Sequence, residues 1–432
     1  MSIVIRRLRR IVSDRKYSIA FLTILLLLSG CKRSETAKMP VGGLWAASAT
    51  NGEIDWKTAS LLAQEQYAGF DLANEDAGFV EYSFAEGNRK DDVQMVVRAM
   101  VEGQQDPKTA PVVAILGGTT NEATTRAASL ANFFNVPMIV PSASGDNLLS
   151  TTNLWAFQLS APDSAYANYI LGSVLTRQVL SSGLEDGFIP ELRIAIFYEQ
   201  NTYGESAAVA TATQALKQEF EVVVYEKFDT DEPDASGLRI LANKVIDLDA
   251  QVVFVISSKP EVAQQIVQTF TSLLDSLSMP VMIGMAGGFT SQEFLESPQA
   301  ESVYVLRQQI SEVNCPKEID SLYTAQSYAA VRLLEYAVEE AAKTNLDLSK
   351  LSLDTVQVDE LAVKREAVRD ALKVANLELP CLGRVAFDNN GQNKQLRFEI
   401  IETQGSSNSR MPLDEFVLVV KQKLGLGALN LD

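Results

Sequence analysis

The sequence predicts an α/β protein of two lobes, each a parallel sheet covered by helices on both faces. Three observations carry this. Short, continuously apolar runs alternate with stretches of helical periodicity. Glycine or polar turns separate them, and the alternation recurs in two parts of the 432-residue chain.

At the amino end Arg6, Arg7, Arg9, Arg10, Arg15 and Lys16 precede an apolar run from Ile19 to Leu28. That order is a signal peptide, because the run is far shorter than the about twenty residues a spanning helix needs. Leu28-Ser29-Gly30-Cys31 resembles the lipobox of bacterial lipoproteins, which implies cleavage before Cys31 and lipidation of its thiol. Residues 1–30 are therefore expected to be a lipoprotein signal and 31–39 a polar tether. An uncleaved anchor helix is the other reading. Either way the body lies outside the cytoplasm, on the periplasmic face or the cell surface, with acyl chains contributing about 0.8 kcal/mol per buried methylene.

Without residues 1–30 the chain keeps 31 basic and 54 acidic side chains, a net charge of −23. Nucleic acid is not an expected partner, since phosphate binding needs a basic stripe. There is no histidine, which excludes Ser-His-Asp and Cys-His catalysis and the usual zinc ligand sets. No enzymatic activity, cofactor or metal is expected. An oxidising compartment would allow Cys315 and Cys381 to pair, two separate thiols being the alternative.

From Val112 a strand (Val-Val-Ala-Ile-Leu) leads through Gly117-Gly118-Thr119-Thr120 into a helix from Asn121 to Phe134, then a strand at Pro137–Pro141. The rhythm returns with a strand at Leu192–Tyr198, a loop at Glu199–Tyr203 and a helix from Gly204 to about Phe220. A strand at Val222–Phe228, a helix at Leu238–Leu248, a strand at Val252–Ile256, a helix at Pro260–Leu274 and a strand at Pro280–Gly284 complete it. Glu318–Thr344 and Val363–Val374 read as helices. Arg384 starts a hairpin that turns at Asn390-Gly391 and returns through Leu396 to Ile401, and Gln404–Arg410 reads as a mobile loop.

Leu-Gly-Gly-Thr-Thr from Leu116, then Val-Pro-Met-Ile-Val-Pro-Ser-Ala-Ser from Val136, then Phe-Gln-Leu-Ser-Ala-Pro-Asp-Ser from Phe157 resemble one family in order. The likeness continues through Arg193–Tyr198, Asn201-Thr-Tyr-Gly-Glu-Ser, Tyr323 with Tyr328-Ala-Ala-Val, and Gly383–Gly391. It is to the type I periplasmic binding proteins, the leucine/isoleucine/valine-binding group that feeds ABC importers. The resemblance implies two Rossmann-like lobes joined by a three-crossover hinge, lobe one being 40–161 with 309–393 and lobe two 162–308 with 394–423, followed by a tail at 424–432. It implies a small-molecule ligand in the cleft, the membrane subunits of an importer as partners, and a hinge closure.

Gly117–Asn121 leads into a helix whose free N–H groups and dipole can hold a carboxylate. The resemblance adds the following turn, so Thr119, Thr120, Asn121, Ser142, Ala143 and Ser144 are expected to contact ligand; capping is the competing role for the hydroxyls. The resemblance also places Tyr203 and Tyr323 at ligand-contact positions, core packing being the other reading of Tyr323, and Trp56, with a one-residue shift, at a first-loop aromatic that covers the ligand. Ala286 stands where relatives commonly have an acid for the ligand's ammonium group. That leaves Glu199 or Glu205 for the role, or a ligand without an α-amino group. Lys259 would attract a second anionic group if it faced the cleft, solvation at a helix start being its other reading. The expected function is a lipid-anchored solute receptor. The alternative is an envelope scaffold, sensor or enzyme activator of the same fold.

Overall fold

The computed structural model describes residues 41–46, 63, 79–82, 89–105, 108–109, 111–118, 120–180, 192–229, 235–273, 279–319, 321–343, 358–404 and 407–426. The expectations placed on Cys31, Trp56 and Thr119 lie outside them. Among the described residues no helix is long and apolar enough to cross a membrane.

Along the chain the first sheet takes β1 (Val41–Ala46), β2 (Phe79–Tyr82), β3 (Ala114–Gly117), β4 (Met138–Val140) and β5 (Ala156–Gln158), with helices α1 (Arg89–Glu102) and α2 (Asn121–Phe134) between them. A short α3 (Asp163–Ala167) runs directly into a π-helix, Asn168–Leu180. Then come β6 (Arg193–Glu199), α4 (Thr202–Lys217), β7 (Glu221–Phe228), α5 (Ala235–Asp247), β8 (Val252–Ile256), α6 (Pro260–Leu273), β9 (Val281–Met285) and β10 (Tyr304–Gln308). The remainder is α7 (Leu322–Lys343), α8 (Val358–Lys373), β11 (Asn376–Leu379), β12 (Gly383–Ala386), β13 (Phe398–Gln404), β14 (Ser407–Met411) and α9 (Leu413–Lys423).

The first sheet has the order β2-β1-β3-β4-β5, all parallel. The second runs β14-β13-β10-β9-β8-β6-β7, parallel from β7 to β10 and antiparallel at β13 and β14. Every residue of β8 is buried, and the period of two divides them between two cores. Phe254 and Ile256 face the π-helix and α4 beside Leu171 and Ala208, while Val253 and Val255 face α5 and α6 beside Leu238 and Phe270. In the first sheet Leu116, Ile139 and Phe157 pack on Tyr328, Leu333 and Leu334 of α7. Ile115, Met138 and Val140 pack on Val97 and Ala127 of α1 and α2. A continuously apolar strand is therefore what two covered faces require.

The chain passes between the sheets after β5, after β10 and after β12. These passages are laced together. Gln158 N–H donates to Gly391 O (2.8 Å), Asn393 N–H to Gln158 O (3.0 Å) and the Asn393 side chain to Leu159 O (3.3 Å). Gln308 Oε1 accepts from Ala161 N–H (3.0 Å) and from Gln326 of α7 (3.1 Å). Cys315 and Cys381 form a disulfide with Cα atoms 4.7 Å apart, tying the segment after β10 to the β11–β12 hairpin.

Two local readings are corrected. The strand at 383–386 pairs with Asn376–Leu379, not with Leu396–Ile401. Gly391 does turn the chain, at φ 82°, but Phe398–Ile401 continues into the second sheet and pairs with β10. A turn signal fixes a reversal, whereas the partner of the returning strand depends on the tertiary crossing. Of the expected loop at Gln404–Arg410, residue 404 and residues 407–410 are strand: β13 and β14 form an antiparallel edge in which Ile400 faces Met411, both buried.

Candidate ligand-binding cleft

Each sheet reverses its strand order once along its parallel part, between β1 and β3 in the first and between β6 and β8 in the second. At such a point the loops leaving neighbouring strands diverge to opposite faces and open a crevice at the strands' carboxyl ends. The expected turn at Gly117–Asn121 leaves β3 at the first crevice. Glu199, Asn201 and Tyr203 leave β6 at the second, with Ser257–Lys259 leaving β8 beside them.

The first crevice is shaped by a close backbone approach. Gly117 and Gly118 have φ of 139° and 89°, and a Cβ on Gly117 would collide with the Leu44 backbone of β1. Thr120 is exposed and caps α2, its hydroxyl accepting from Ala123 N–H (3.3 Å). Asn121 is buried, and its Oδ1 accepts from Ser144 and Gly145 N–H (both 3.1 Å). This side chain locks the two turns together. Its Nδ2 has no partner, and neither has the buried Ser142 Oγ. Ala143 is buried, its carbonyl accepting from Gln158 Nε2 (3.0 Å) and from Ser160 Oγ.

The second crevice is built around Glu199, fully buried at the end of β6. Its Oε1 accepts from Asn201 Nδ2 (2.7 Å), and its Oε2 from Ser258 N–H (2.8 Å) and Ser258 Oγ (2.9 Å). Burial raises its pKa, against the pull of those bonds and of Lys259. Asn201 in turn caps α4 by accepting from Gly204 N–H (2.8 Å). Glu205 is exposed on α4. Tyr203 Oη donates to Met285 O (2.8 Å), the residue before Ala286. Ala286 has φ 38° and ψ −141°, and its N–H donates to Leu306 O (3.0 Å). Gly287 follows at φ 54°, where a Cβ would meet Ser257 O and the Tyr203 hydroxyl.

The two sides meet. Tyr323, at the start of α7 on the first half, has its hydroxyl hydrogen-bonded to the Gly287 backbone and the Thr290 side chain of the second. Ser144 O accepts from Asp163 N–H (2.8 Å), and Asp146 Oδ1 accepts from Ser164 N–H (3.0 Å) and Oγ (2.6 Å). Burial raises the pKa of Tyr203 and of Tyr323, with Asp163 and Glu199 acting on both. The expected residues Asn121, Ser142, Ala143 and Ser144 thus lie on two joined turns of the first half, Tyr203 and Ala286 on neighbouring turns of the second, and Tyr323 bridges the halves through Gly287 and Thr290.

Asp163 is the residue that sequence reasoning missed. It is 2% exposed, with hydrogen bonds to the Ser144 and Ser206 side chains. Its pKa is pushed up to about 7 by burial, those two bonds pulling down and Asp146 pushing up. In the sequence it stands in the Phe157–Ser164 run, where Pro162-Asp163 reads as a helix start like many others. Linkage fixes a prediction. Below about pH 4 the group is neutral folded and unfolded; between about 4 and about 7 the folded state keeps a proton that the unfolded chain has lost, so stability falls as pH rises through that window. Glu199 adds in the same direction. Urea unfolding should show the fall in the wild type and a flatter profile in Asp163→Asn. Equal slopes would contradict the burial argument.

A separate hollow of about 310 Å³ lies in the second half between the π-helix, β13, β14 and α9, lined by Tyr169, Phe398, Arg410 and Met411 among others. Its acid, Glu399, is already paired with Arg307 (2.8 Å). Among the described residues no group of three or more Cys, Asp or Glu is placed to hold a metal.

No protein-family model matches the chain, and no curated protein matches its sequence. Solved structures do. An ABC transporter substrate-binding protein from Desulfitobacterium hafniense, also solved in complex with Leu, superposes with a TM-score of 0.59 at 15% identity, covering 87% of this chain and 100% of that one. A leucine-binding protein from Thermotoga maritima gives 0.62 at 12% identity, covering 87% and 98%. A solute-binding protein of an ABC transporter from R. palustris, in complex with benzoate, gives 0.63 at 12% identity, covering 87% and 96%.

Proposed function

We propose that this chain, which has the fold of the type I periplasmic binding proteins, is an extracytoplasmic, lipid-anchored solute receptor for an ABC importer that closes on a small carboxylate-bearing ligand. The observation that carries the reading is the pair of unpaired, buried donors, Ser142 Oγ and Asn121 Nδ2, on the segments that leave the carboxyl ends of β4 and β3. Buried donors without partners are costly, about 1–3 kcal/mol each, and a carboxylate arriving between them removes that cost. Structural neighbours solved with Leu and with benzoate have such a group in common. The anchor rests on the charge, apolar core and cysteine order of residues 1–31.

One observation favours the other reading, an envelope scaffold or activator without a transported solute. The Tyr203 and Tyr323 hydroxyls are both bonded within the protein, as a cleft closed on its own side chains would have them. Thermal unfolding of the mature protein against amino acids, dicarboxylates, amides and aromatic acids separates the two, since a ligand bound at 100 times its Kd adds about 2.7 kcal/mol. A clear rise with one class is expected. No rise with any compound would leave the scaffold reading. For the anchor, Cys31→Ser should remain unprocessed and unlabelled by a radioactive fatty acid, and labelling of that variant would refute lipidation at Cys31.

A further inference from the structure

We infer that the hollow beside α9 is a second ligand site, separate from the cleft, that takes a small organic anion: an aromatic or branched apolar body ending in a carboxylate. The inference goes beyond the receptor reading and does not rest on it. The hollow exists because β14 stops short of the end of β13. Met411, the last residue of β14, faces Ile400, and the chain then turns through Pro412 into α9, so Phe398 and Glu399 have no partner on that edge. Tyr169 of the π-helix and Leu413 of α9 line the space with them. At about 310 Å³ it lies at the lower end of the range that holds small ligands, and it shares no residue with the cleft.

The lining sorts into an apolar bed and a few polar groups. Phe398, Ile400, Met411 and Leu413 make the bed, with Tyr169 stacked on Phe398 at 4.9 Å between ring centroids. The one acid is already engaged: Glu399 pairs with Arg307 (2.8 Å) and accepts from Ile310 N–H (3.4 Å). The two donors are not. The exposed Arg410 guanidinium has Glu399 at 3.8 Å as its ionic partner, and it makes no hydrogen bond to a described residue. Neither does the Tyr169 hydroxyl. They are close enough to act on each other, since the charge of Arg410 pulls the Tyr169 pKa down against the rise that burial causes. With Glu399 balanced by Arg307, Arg410 is the uncompensated charge of the three. A guanidinium and a phenol O–H that both lack an acceptor, beside an apolar bed, are complementary to one amphipathic carboxylate, which a guanidinium can meet with two parallel bonds. A cationic ligand would be repelled by Arg410. A neutral one would leave it unmet.

The test uses the mature protein with three probes of one shape, 3-phenylpropionate, 3-phenylpropanamide and 3-phenylpropylamine, by calorimetry and by crystals grown with each. The carboxylate is expected to bind with a Kd of about 1 mM or tighter, its density lying on Phe398 and its oxygens within hydrogen-bond distance of Arg410 and Tyr169. The amide and the amine should bind at least tenfold more weakly. Arg410→Gln should weaken the carboxylate at this site tenfold or more and bring it level with the amide, and Tyr169→Phe should give a smaller loss. Carboxylate density in the cleft alone, the amide or amine binding the hollow as well as the acid, an unchanged affinity in Arg410→Gln, or a hollow filled by the protein's own chain overturns the inference. The wild-type crystals and probe comparison need no variant, so a misfolded Arg410→Gln would not blunt them. A cleft that binds nothing would end the receptor reading and leave this site standing.

Discussion

Tyr203→Ala is expected to weaken ligand binding about a hundredfold, the loss of a central aromatic contact worth ~2–3 kcal/mol in a closed site. Three effects combine. The ring leaves the second wall beside Gly287, the Met285 carbonyl loses the hydroxyl that anchors it, and the turn at Ala286, already in a left-handed conformation at φ 38°, loses its backing. Tyr203→Phe separates them. It keeps the ring and removes one hydrogen bond, about 1 kcal/mol, so binding should fall tenfold or less. Calorimetry with the best ligand of the panel checks both. Unchanged affinity in Tyr203→Ala would place the ligand elsewhere.

Glu399→Ala is expected to destabilise the protein by about 3–5 kcal/mol, the cost of leaving one half of a buried ion pair behind. Glu399 on β13 and Arg307 on β10 have side chains 5% and 14% exposed, and the carboxylate also accepts from Ile310 N–H (3.4 Å) where the chain leaves the second sheet. Removal leaves a guanidinium in a poorly solvated place next to two of the three crossings. Arg307→Met with Glu399→Leu should recover most of the loss, because two apolar chains need no compensation. Chemical denaturation reads both. A single-variant loss below about 1 kcal/mol would mean that the pair behaves like one at the surface.

The α/β architecture was legible because burial on both faces leaves a mark in the residues themselves. Val252–Ile256 can be read as a strand without knowing its neighbours, and each of its side chains is buried. Glycine turns were legible for the same local reason: Gly117 and Gly118 adopt conformations that few other residues reach. The legibility ends where the partner is distant in sequence. The returning strand after Asn390-Gly391 finds β10, some 90 positions earlier, and not the strand just before the turn. The edge strand at Ser407–Met411 is polar enough to read as a loop until β13 pairs with it.

The cleft divides in the same way. The Gly-Gly turn and the Ser142–Ser144 turn follow strands and draw notice as a pair. That Asn121 spends its oxygen on Ser144 and Gly145 depends on a contact 23 and 24 residues away. Glu199 reads in the sequence as a partner for a ligand's ammonium group, but Ser258, 59 residues on, already holds it. Asp163 stands in the Phe157–Ser164 run, which assigns it no role. An aspartate after proline ordinarily sits in a solvated first turn, and only the convergence of Ser144 and Ser206 from other elements buries this one.

A crystal structure of the mature protein, grown with the compound that raises its melting temperature most, tests the account at its centre. The account predicts ligand density between the Ser142–Ser144 turn and Tyr203, with a carboxylate within hydrogen-bond distance of Ser142 Oγ and Asn121 Nδ2. Crystals grown with that compound whose cleft is closed on Tyr203 and Tyr323 alone, the density lying elsewhere, would contradict it.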